Sequence, residues 1–259
     1  MTRFAAVWGV LAVLAMPGAA PAKADARGVS VTDGVTTARF AAPTTRYGHN
    51  VLGGLPEYGR LCLARGGVER CHRLPQQAVF EDIAPRLADM DGDGLAEAVV
   101  IESTTTGGAA LAVYDLHAPA SAPGDPILTR TATPPIGRRN RWLAPVGIAD
   151  FNGDGAMDVA FVEKPHLARR LKIWTWVDGR GQTGDHLQKI GDLPGFSNHR
   201  IGDRYILSGL RRCGGLPEMI LPDDRWARVV AVRYDDGGWQ RRDLGPLRDT
   251  ADISEFLSC

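Results

Sequence analysis

Two short acidic segments have the residue types and spacing of a loop that binds a hard divalent cation. They are DMDGDGLAE, residues 89–97, and DFNGDGAMD, residues 150–158. Oxygen side chains at loop positions 1, 3, 5 and 9 can converge on one cation, and the glycine at position 6 permits the sharp turn. The carbonyl oxygen of position 7, Leu95 or Ala156, can add a further ligand. The pattern predicts calcium, because all of these ligands are oxygens.

An EF-hand has a similar loop but needs a bidentate glutamate at position 12 and a helix after it. Position 12 is Val100 in the first segment and Phe161 in the second, and both lie in short apolar runs. These runs, residues 98–101 and 159–162, are short and mostly β-branched or apolar, which favours buried strands. The sequence therefore predicts a loop that leads into a strand.

The acidic loops belong to a longer internal repeat. They begin 61 residues apart, and the apolar runs before and after them also correspond. A third copy, residues 210–218, keeps a glycine and the final acid but has lost the cation ligands, and Cys213 lies inside it. Residues 53–57 are a weaker fourth copy, since GGLPE echoes residues 214–218.

Repeats of this length that contain several strands are typical of propellers and related β arrays. About 16 or 17 strand-like runs lie between residues 29 and 242, which makes four blades of four strands. The predicted fold class is all-β, a small β-propeller of about four to five blades built from repeats of about 60 residues.

The acidic pattern followed by an apolar strand resembles the FG-GAP repeat of integrin α-subunits and the related VCBS-type repeat of exported bacterial proteins. The resemblance is strong over residues 83–114 and 143–174 and moderate over 199–234. It implies that each loop joins two strands of a propeller blade and binds calcium. The side-chain ligands that it implies are Asp89, Asp91, Asp93 and Glu97 in the first loop and Asp150, Asn152, Asp154 and Asp158 in the second.

Two departures from the family pattern affect these expectations. Glu97 stands where the family usually has aspartate, and its longer side chain must fold back, so we expect the first site to be the weaker one. The Phe-Gly and Gly-Ala-Pro signatures of the integrin repeat are mostly absent, which favours the VCBS-like group.

The N-terminal residues predict export. Arg3, an apolar run over residues 4–16 and small residues up to Ala24 form a secretory signal pattern, so we divide the chain into a signal peptide, 1–24, and one repeat domain, 25–259. The expected location is the periplasm or the extracellular space, with no integral membrane segment in the mature chain. Removal of Arg3 and Lys23 leaves a net charge near −2, and no concentrated basic patch is present, so we expect no nucleic-acid partner.

Four cysteines in an exported chain favour two disulfides over a metal site, because there is no Cys-x-x-Cys motif. Three pairings are possible. Cys62 and Cys71 flank a segment with Arg-Gly-Gly at its centre, which is typical of a hairpin turn, so they can face each other across paired strands. That pairing leaves Cys213 with Cys259.

Catalytic motifs are not evident, and we assign no catalytic residue. The six histidines form no metalloprotease, hydrolase or other diagnostic pattern; they are His49, His72, His117, His166, His186 and His199. We expect the tryptophans to lie in the core rather than to form a sugar-stacking surface.

The leading hypothesis is an exported propeller with structural calcium that acts as a binding or interaction module for a protein or glycan ligand. The alternatives are a carbohydrate-active lyase or hydrolase and a purely structural envelope scaffold.

Overall fold

The protein was analysed as a computed structural model, which describes residues 28–117, 126–179 and 184–259. The proposed signal peptide, 1–24, lies outside the described residues. Seventeen strands and one short 3-10 helix, Ser254–Phe256, make up the regular structure of the described chain. The strands are β1 Ser30–Thr32, β2 Thr36–Thr44, β3 Glu57–Arg65, β4 Val68–Arg73, β5 Ala78–Phe80, β6 Arg86–Ala88, β7 Glu97–Thr104, β8 Gly108–His117, β9 Ile127–Ala132, β10 Leu143–Ala149, β11 Asp158–Glu163, β12 Arg170–Val177, β13 His186–Pro194, β14 Gly209–Arg211, β15 Glu218–Pro222, β16 Arg228–Asp235 and β17 Gly238–Pro246.

The strands form three antiparallel sheets, and none of them closes into a barrel. The first sheet has nine strands, in the order β1-β2-β3-β5-β7-β8-β9, with β4 paired to β3 and β6 paired to β7. The second sheet is β10-β11-β12-β13 and the third is β14-β15-β16-β17. The all-β prediction is therefore confirmed. Among the described residues, no helix is both long and apolar enough to cross a membrane.

The nine-stranded sheet contains two up-and-down meanders and a connecting strand. Strands β1 to β4 pair in sequence order, and so do β6 to β9. The three-residue strand β5 joins them, because Phe80 pairs with Tyr58 of β3 and also with Glu102 of β7. The described chain is thus four consecutive four-stranded meanders with β5 between the first and the second.

The position of each strand within its meander follows from its sequence. The second strands of the later meanders, β7, β11 and β15, are almost entirely buried and have continuous apolar runs, as expected of strands covered on both faces. The last strands are more polar and more exposed. Strand β17, for example, carries Arg241 and Arg242 on an outer edge, where charge discourages pairing with another chain.

Consecutive sheets share hydrophobic cores. One core joins the first and second sheets through residues such as Ile101, Leu111, Leu143 and Phe161. A second core joins the second and third sheets through residues such as Ile173, Met219 and Val232. The tryptophans belong to these cores: Trp142 and Trp176 are buried in the first core, and Trp174, Trp226 and Trp239 pack against the cores from partly buried positions.

The structure confirms the disulfide pairing that the hairpin favoured. Cys62 and Cys71 are direct partners in the pairing of β3 with β4, and their sulfurs are bonded. The turn between these strands uses Gly66 and Gly67 with φ of 58° and 81°, a conformation that suits glycine. Cys213 is bonded to Cys259, so the last residue of the chain is tied to the loop between β14 and β15.

The two disulfides should stabilise the fold by different amounts. The 46-residue separation of Cys213 and Cys259 predicts a loss of about 4 kcal/mol in the free energy of unfolding when both are changed to serine. The nine-residue separation of Cys62 and Cys71 predicts a loss of about 2.6 kcal/mol for the corresponding double variant. Urea denaturation of the two double variants measures both values, and equal losses would contradict the dependence on loop length.

Candidate metal centre

The two acidic loops occupy the same place in successive meanders. Residues 89–96 connect β6 to β7, and residues 150–157 connect β10 to β11. The third copy also lies between a first and a second strand, since residues 212–217 connect β14 to β15. The weak fourth copy lies in residues 45–56, which connect the second strand of the first meander, β2, to its third strand, β3. In all four meanders an inner strand begins with a buried acid; it is the third strand in the first meander and the second strand in the other three. These acids are Glu57, Glu97, Asp158 and Glu218.

The first aspartate of each acidic loop organises the turn. Asp89 accepts backbone hydrogen bonds from Gly92 N at 2.8 Å and from Gly94 N at 3.0 Å. Asp150 accepts the equivalent bonds from Gly153 N at 2.7 Å and from Gly155 N at 3.0 Å. The four glycines have positive φ values between 78° and 88°, so the two loops share one backbone conformation.

The next two ligand positions also make equivalent contacts. Asp91 accepts a hydrogen bond from Asp93 N at 3.1 Å, and Asn152 accepts one from Asp154 N at 3.2 Å. Asp93 and Asp154 each accept a bond from the backbone N–H two residues later, that of Leu95 or Ala156. In the second loop the Asn152 amide additionally donates to the Asp154 carboxylate at 2.8 Å.

Three of the four predicted carboxylates of the first loop lie close together, and Asp93 is not in this group. Asp89, Asp91 and Glu97 offer oxygens that all lie within 4.8 Å of one another. These three residues were predicted to share a cation, and the structure brings them together. In the second loop a neutral amide, Asn152, stands where the first loop has Asp91.

The acid at the end of each acidic loop is buried with one oxygen unpaired. Glu97 Oε2 accepts a hydrogen bond from Met90 N at 2.6 Å, and Asp158 Oδ2 accepts the equivalent bond from Phe151 N at 3.0 Å. The other oxygens, Glu97 Oε1 and Asp158 Oδ1, are buried and have no hydrogen-bond partner among the described residues. Because a buried carboxylate without a partner is costly, a cation in the loop fits both positions.

The pKa values of Glu97 and Asp158 are both raised, in agreement with their burial. Burial, with the nearby charges of Asp91 and Asp115, raises the pKa of Glu97 from 4.5 to about 8. Burial, with the charges of Asp154 and Asp150, raises the pKa of Asp158 from 3.8 to about 6. Without a cation, Glu97 therefore holds a proton at neutral pH, which a metal ion would displace, whereas Asp158 holds one only below about pH 6.

The equivalent acids of the other two meanders have partners within the protein. The Glu57 carboxylate accepts hydrogen bonds from three backbone N–H groups, those of Tyr47, Gly48 and His49, at 3.2–3.3 Å. Glu218 is paired with Arg211 Nε at 2.8 Å and with Arg242 Nη2 at 3.1 Å. Among these four acids, the two with an unpaired oxygen are thus Glu97 and Asp158, which belong to the loops predicted to bind calcium.

A second polar cluster lies away from these loops, where His199 packs against Trp142 and the carbonyl oxygen of Glu81 accepts a hydrogen bond from the Trp142 indole. His49 Nδ1 lies 2.6 Å from Glu81 Oε1, and His166 Nε2 lies 3.0 Å from His199 Nδ1. His199 Nε2 donates to the carbonyl oxygen of Asp203 at 3.1 Å, so its Nδ1 accepts from His166. Burial lowers the pKa of both His166 and His199, which keeps this pair neutral.

The space beside this cluster is small. The cavity next to Glu81 and Glu57 has a volume of about 10 Å³, which is room for about one water molecule. The remaining histidines lie elsewhere: His72 packs against Tyr114, His117 contacts Asp115, and His186 begins β13. Glu81 could not be predicted from the sequence, because its partner His49 is 32 residues away and no local spacing links them.

Comparison with known proteins gives no assignment, since no model of a protein family and no curated protein matches this chain.

The raised pKa of Glu97 predicts how the stability of the metal-free protein depends on pH. The folded state holds a proton on Glu97 up to about pH 8, whereas the ordinary pKa is 4.5, so the free energy of unfolding should fall as pH rises from about 5 to 8. The slope attributable to this one group is at most about 1.4 kcal/mol per pH unit. Urea denaturation in a chelator across this range measures it.

The matched control is Glu97→Gln, which has no proton to lose and should remove that part of the slope. Identical pH profiles for the wild type and this variant would show that Glu97 ionises at its ordinary pKa.

Proposed function

We propose that this protein is an exported, calcium-stabilised β-propeller of about four blades that acts as a binding or interaction module. The observation that carries the proposal is the contrast among the four acids that begin an inner strand of each meander. Glu57 and Glu218 are paired within the protein, whereas Glu97 and Asp158 each keep a buried, unpartnered oxygen in a loop with further oxygen ligands.

The arrangement of the meanders supports a propeller. Each one is a four-stranded antiparallel unit, as a blade is, and consecutive units share cores. Gly147 of the second sheet lies so close to Leu210 of the third that an added Cβ would come within 2.6 Å of it. The segment before β14 also returns to the first meander, since Gly202 N donates to Val51 O at 3.0 Å and Arg204 Nε to Gly53 O at 2.9 Å. These bonds bring the fourth unit towards the first, as a ring requires.

Calcium is the cation that this set of ligands favours. Carboxylates, an amide and backbone carbonyls are hard oxygen ligands, and the loops contain no cysteine or histidine that would favour a transition metal. Extracellular calcium modules typically have dissociation constants of about 10⁻⁴ to 10⁻³ M. At millimolar calcium, each of the tighter sites would stabilise the fold by about 1.4 kcal/mol. In this proposal the ion is structural and takes part in no reaction.

Export is supported by the two disulfides, which persist in oxidising compartments, and by the signal pattern of residues 1–24. The periplasm or the extracellular space is therefore the proposed location.

The proposed binding surface is the face that carries the loops. Neighbouring loops touch there, because Leu216 of the third copy lies against Gly153 of the second acidic loop. Leu216 is also one of the few exposed large apolar side chains. A protein or a glycan is the proposed ligand class.

The proposal is tested by thermal unfolding of the mature protein with millimolar calcium and with a chelator. Calcium should raise the melting temperature of the wild type by about 3–6 °C for each occupied site, as expected from about 1.4 kcal/mol in a domain of this size. The double variant Glu97→Gln with Asp158→Asn should lose this calcium-dependent rise.

The matched control is Glu218→Gln, which changes the equivalent acid in the meander where two arginines are its partners. This variant should melt at a lower temperature but keep the full rise with calcium. A wild type whose melting temperature does not respond to calcium would refute the proposal, and so would a double variant that responds as the wild type does.

A further inference from the structure

One carboxylate outside the acidic loop faces the first site. Asp115 lies on β8 directly after Tyr114, which pairs with Ala98, so it comes opposite Glu97. The charge of Asp115 contributes to the raised pKa values of both Glu97 and Asp91, which places it near two of the predicted ligands. Nothing in the local sequence pattern of the loop includes it.

One oxygen of the Asp115 carboxylate has a hydrogen-bond partner among the described residues, and the other has none. Its side chain is only 15% exposed, and Oδ2 contacts His117 Nδ1. Its Oδ1 is buried and has no hydrogen-bond partner among the described residues. A pocket of about 240 Å³ lies beside it, lined also by Asp91 and Asp93 of the loop. The unpaired oxygen therefore stands next to the site where Glu97, itself fully buried, has its own unpaired oxygen.

The equivalent position differs in each of the later meanders. Thr175 pairs with Asp158 in the second sheet. In the third sheet Val232 pairs with Met219, so Arg233 comes opposite Glu218. The same place in the fold thus holds a carboxylate at the first site, a hydroxyl at the second, and a guanidinium in the copy without cation ligands.

Because of this difference, the two predicted calcium sites have different numbers of carboxylates nearby. The first site has five carboxylates, which are Asp89, Asp91, Asp93, Glu97 and Asp115. The second has three, which are Asp150, Asp154 and Asp158. Since the number of charged ligands sets calcium affinity in sites of otherwise similar geometry, the two loops are not equal.

We propose that Asp115 is a further carboxylate of the first calcium site, and that it makes this site the tighter of the two and the first to fill. The inference rests on the proposed function, because it requires that the loops bind calcium. This order of affinity is the reverse of the one expected from the length of the Glu97 side chain alone. The Glu97 side chain is buried and accepts a hydrogen bond from Met90 N, and the charge of Asp115 lies beside it.

The test is calcium titration calorimetry on the mature full chain, with one loop disabled at a time. Asp158→Asn leaves the first site, and Glu97→Gln leaves the second. The Asp158→Asn protein should bind calcium more tightly than the Glu97→Gln protein. Adding Asp115→Asn to Asp158→Asn should then weaken binding by about tenfold, as expected when one charged ligand is lost.

Two controls separate a ligand effect from a general loss of structure. Asp115→Asn added to Glu97→Gln should change the affinity of the second site by less than about twofold, since the second loop does not face it. Thr175→Asp added to Glu97→Gln places a carboxylate at the equivalent position and should tighten the second site by about tenfold. Circular dichroism of each variant checks that the sheets are intact.

The outcomes distinguish the two proposals. If both single-site proteins bind calcium and Asp115→Asn has no effect on the first, the role of Asp115 is refuted while the calcium sites stand. If neither single-site protein nor the wild type binds calcium, the proposed function fails and the role of Asp115 fails with it.

Discussion

A carboxylate at the start of an inner strand must have a partner, and this requirement governs the structure of all four meanders. Glu57, Glu97, Asp158 and Glu218 are each buried at the start of an inner strand, which is the third strand of its meander for Glu57 and the second for the other three. Burial of a charge costs several kcal/mol unless hydrogen bonds or an opposite charge offset it. Backbone N–H groups surround Glu57 and arginines pair with Glu218, whereas Glu97 and Asp158 each keep one unpaired oxygen, which the proposed calcium ions would satisfy.

The acids link the loops to the packed cores. Glu97 and Asp158 each hold the second residue of the loop through its N–H, and the strand that follows continues directly into the buried apolar run. A partner for the acid therefore fixes both the loop and the entry of the strand into the core shared by neighbouring sheets. In the last meander two arginines and the Cys213–Cys259 disulfide act at the same place, so a covalent bond and an ion pair stand where the second and third meanders have the predicted cation ligands.

Much of this arrangement could be predicted from the sequence, because it depends on residues that are close together in the chain. The loop-to-strand pattern, the all-β class and the Cys62–Cys71 hairpin follow from local spacing, and the structure confirms the last two. The structure also places the loop of the third copy between a first and a second strand, as it does the two acidic loops, whereas the faint copy at residues 53–57 leads into a third strand.

What could not be predicted depends on strand register. Asp115 meets Glu97 only because β8 pairs with β7 in one register, and Arg242 reaches Glu218 from a strand 24 residues away. The contact of His49 with Glu81 likewise joins distant parts of the chain. The three-residue strand β5, which joins two meanders into one sheet, is too short to leave a periodic pattern.

The most direct measurement is a crystal structure of the mature protein grown with calcium, with anomalous scattering used to locate the ions. The account predicts one ion in each acidic loop, bound by Glu97 Oε1 in the first and by Asp158 Oδ1 in the second, and none beside Glu218. Loops that hold only water, with Glu97 Oε1 and Asp158 Oδ1 hydrogen-bonded to it, would contradict the account.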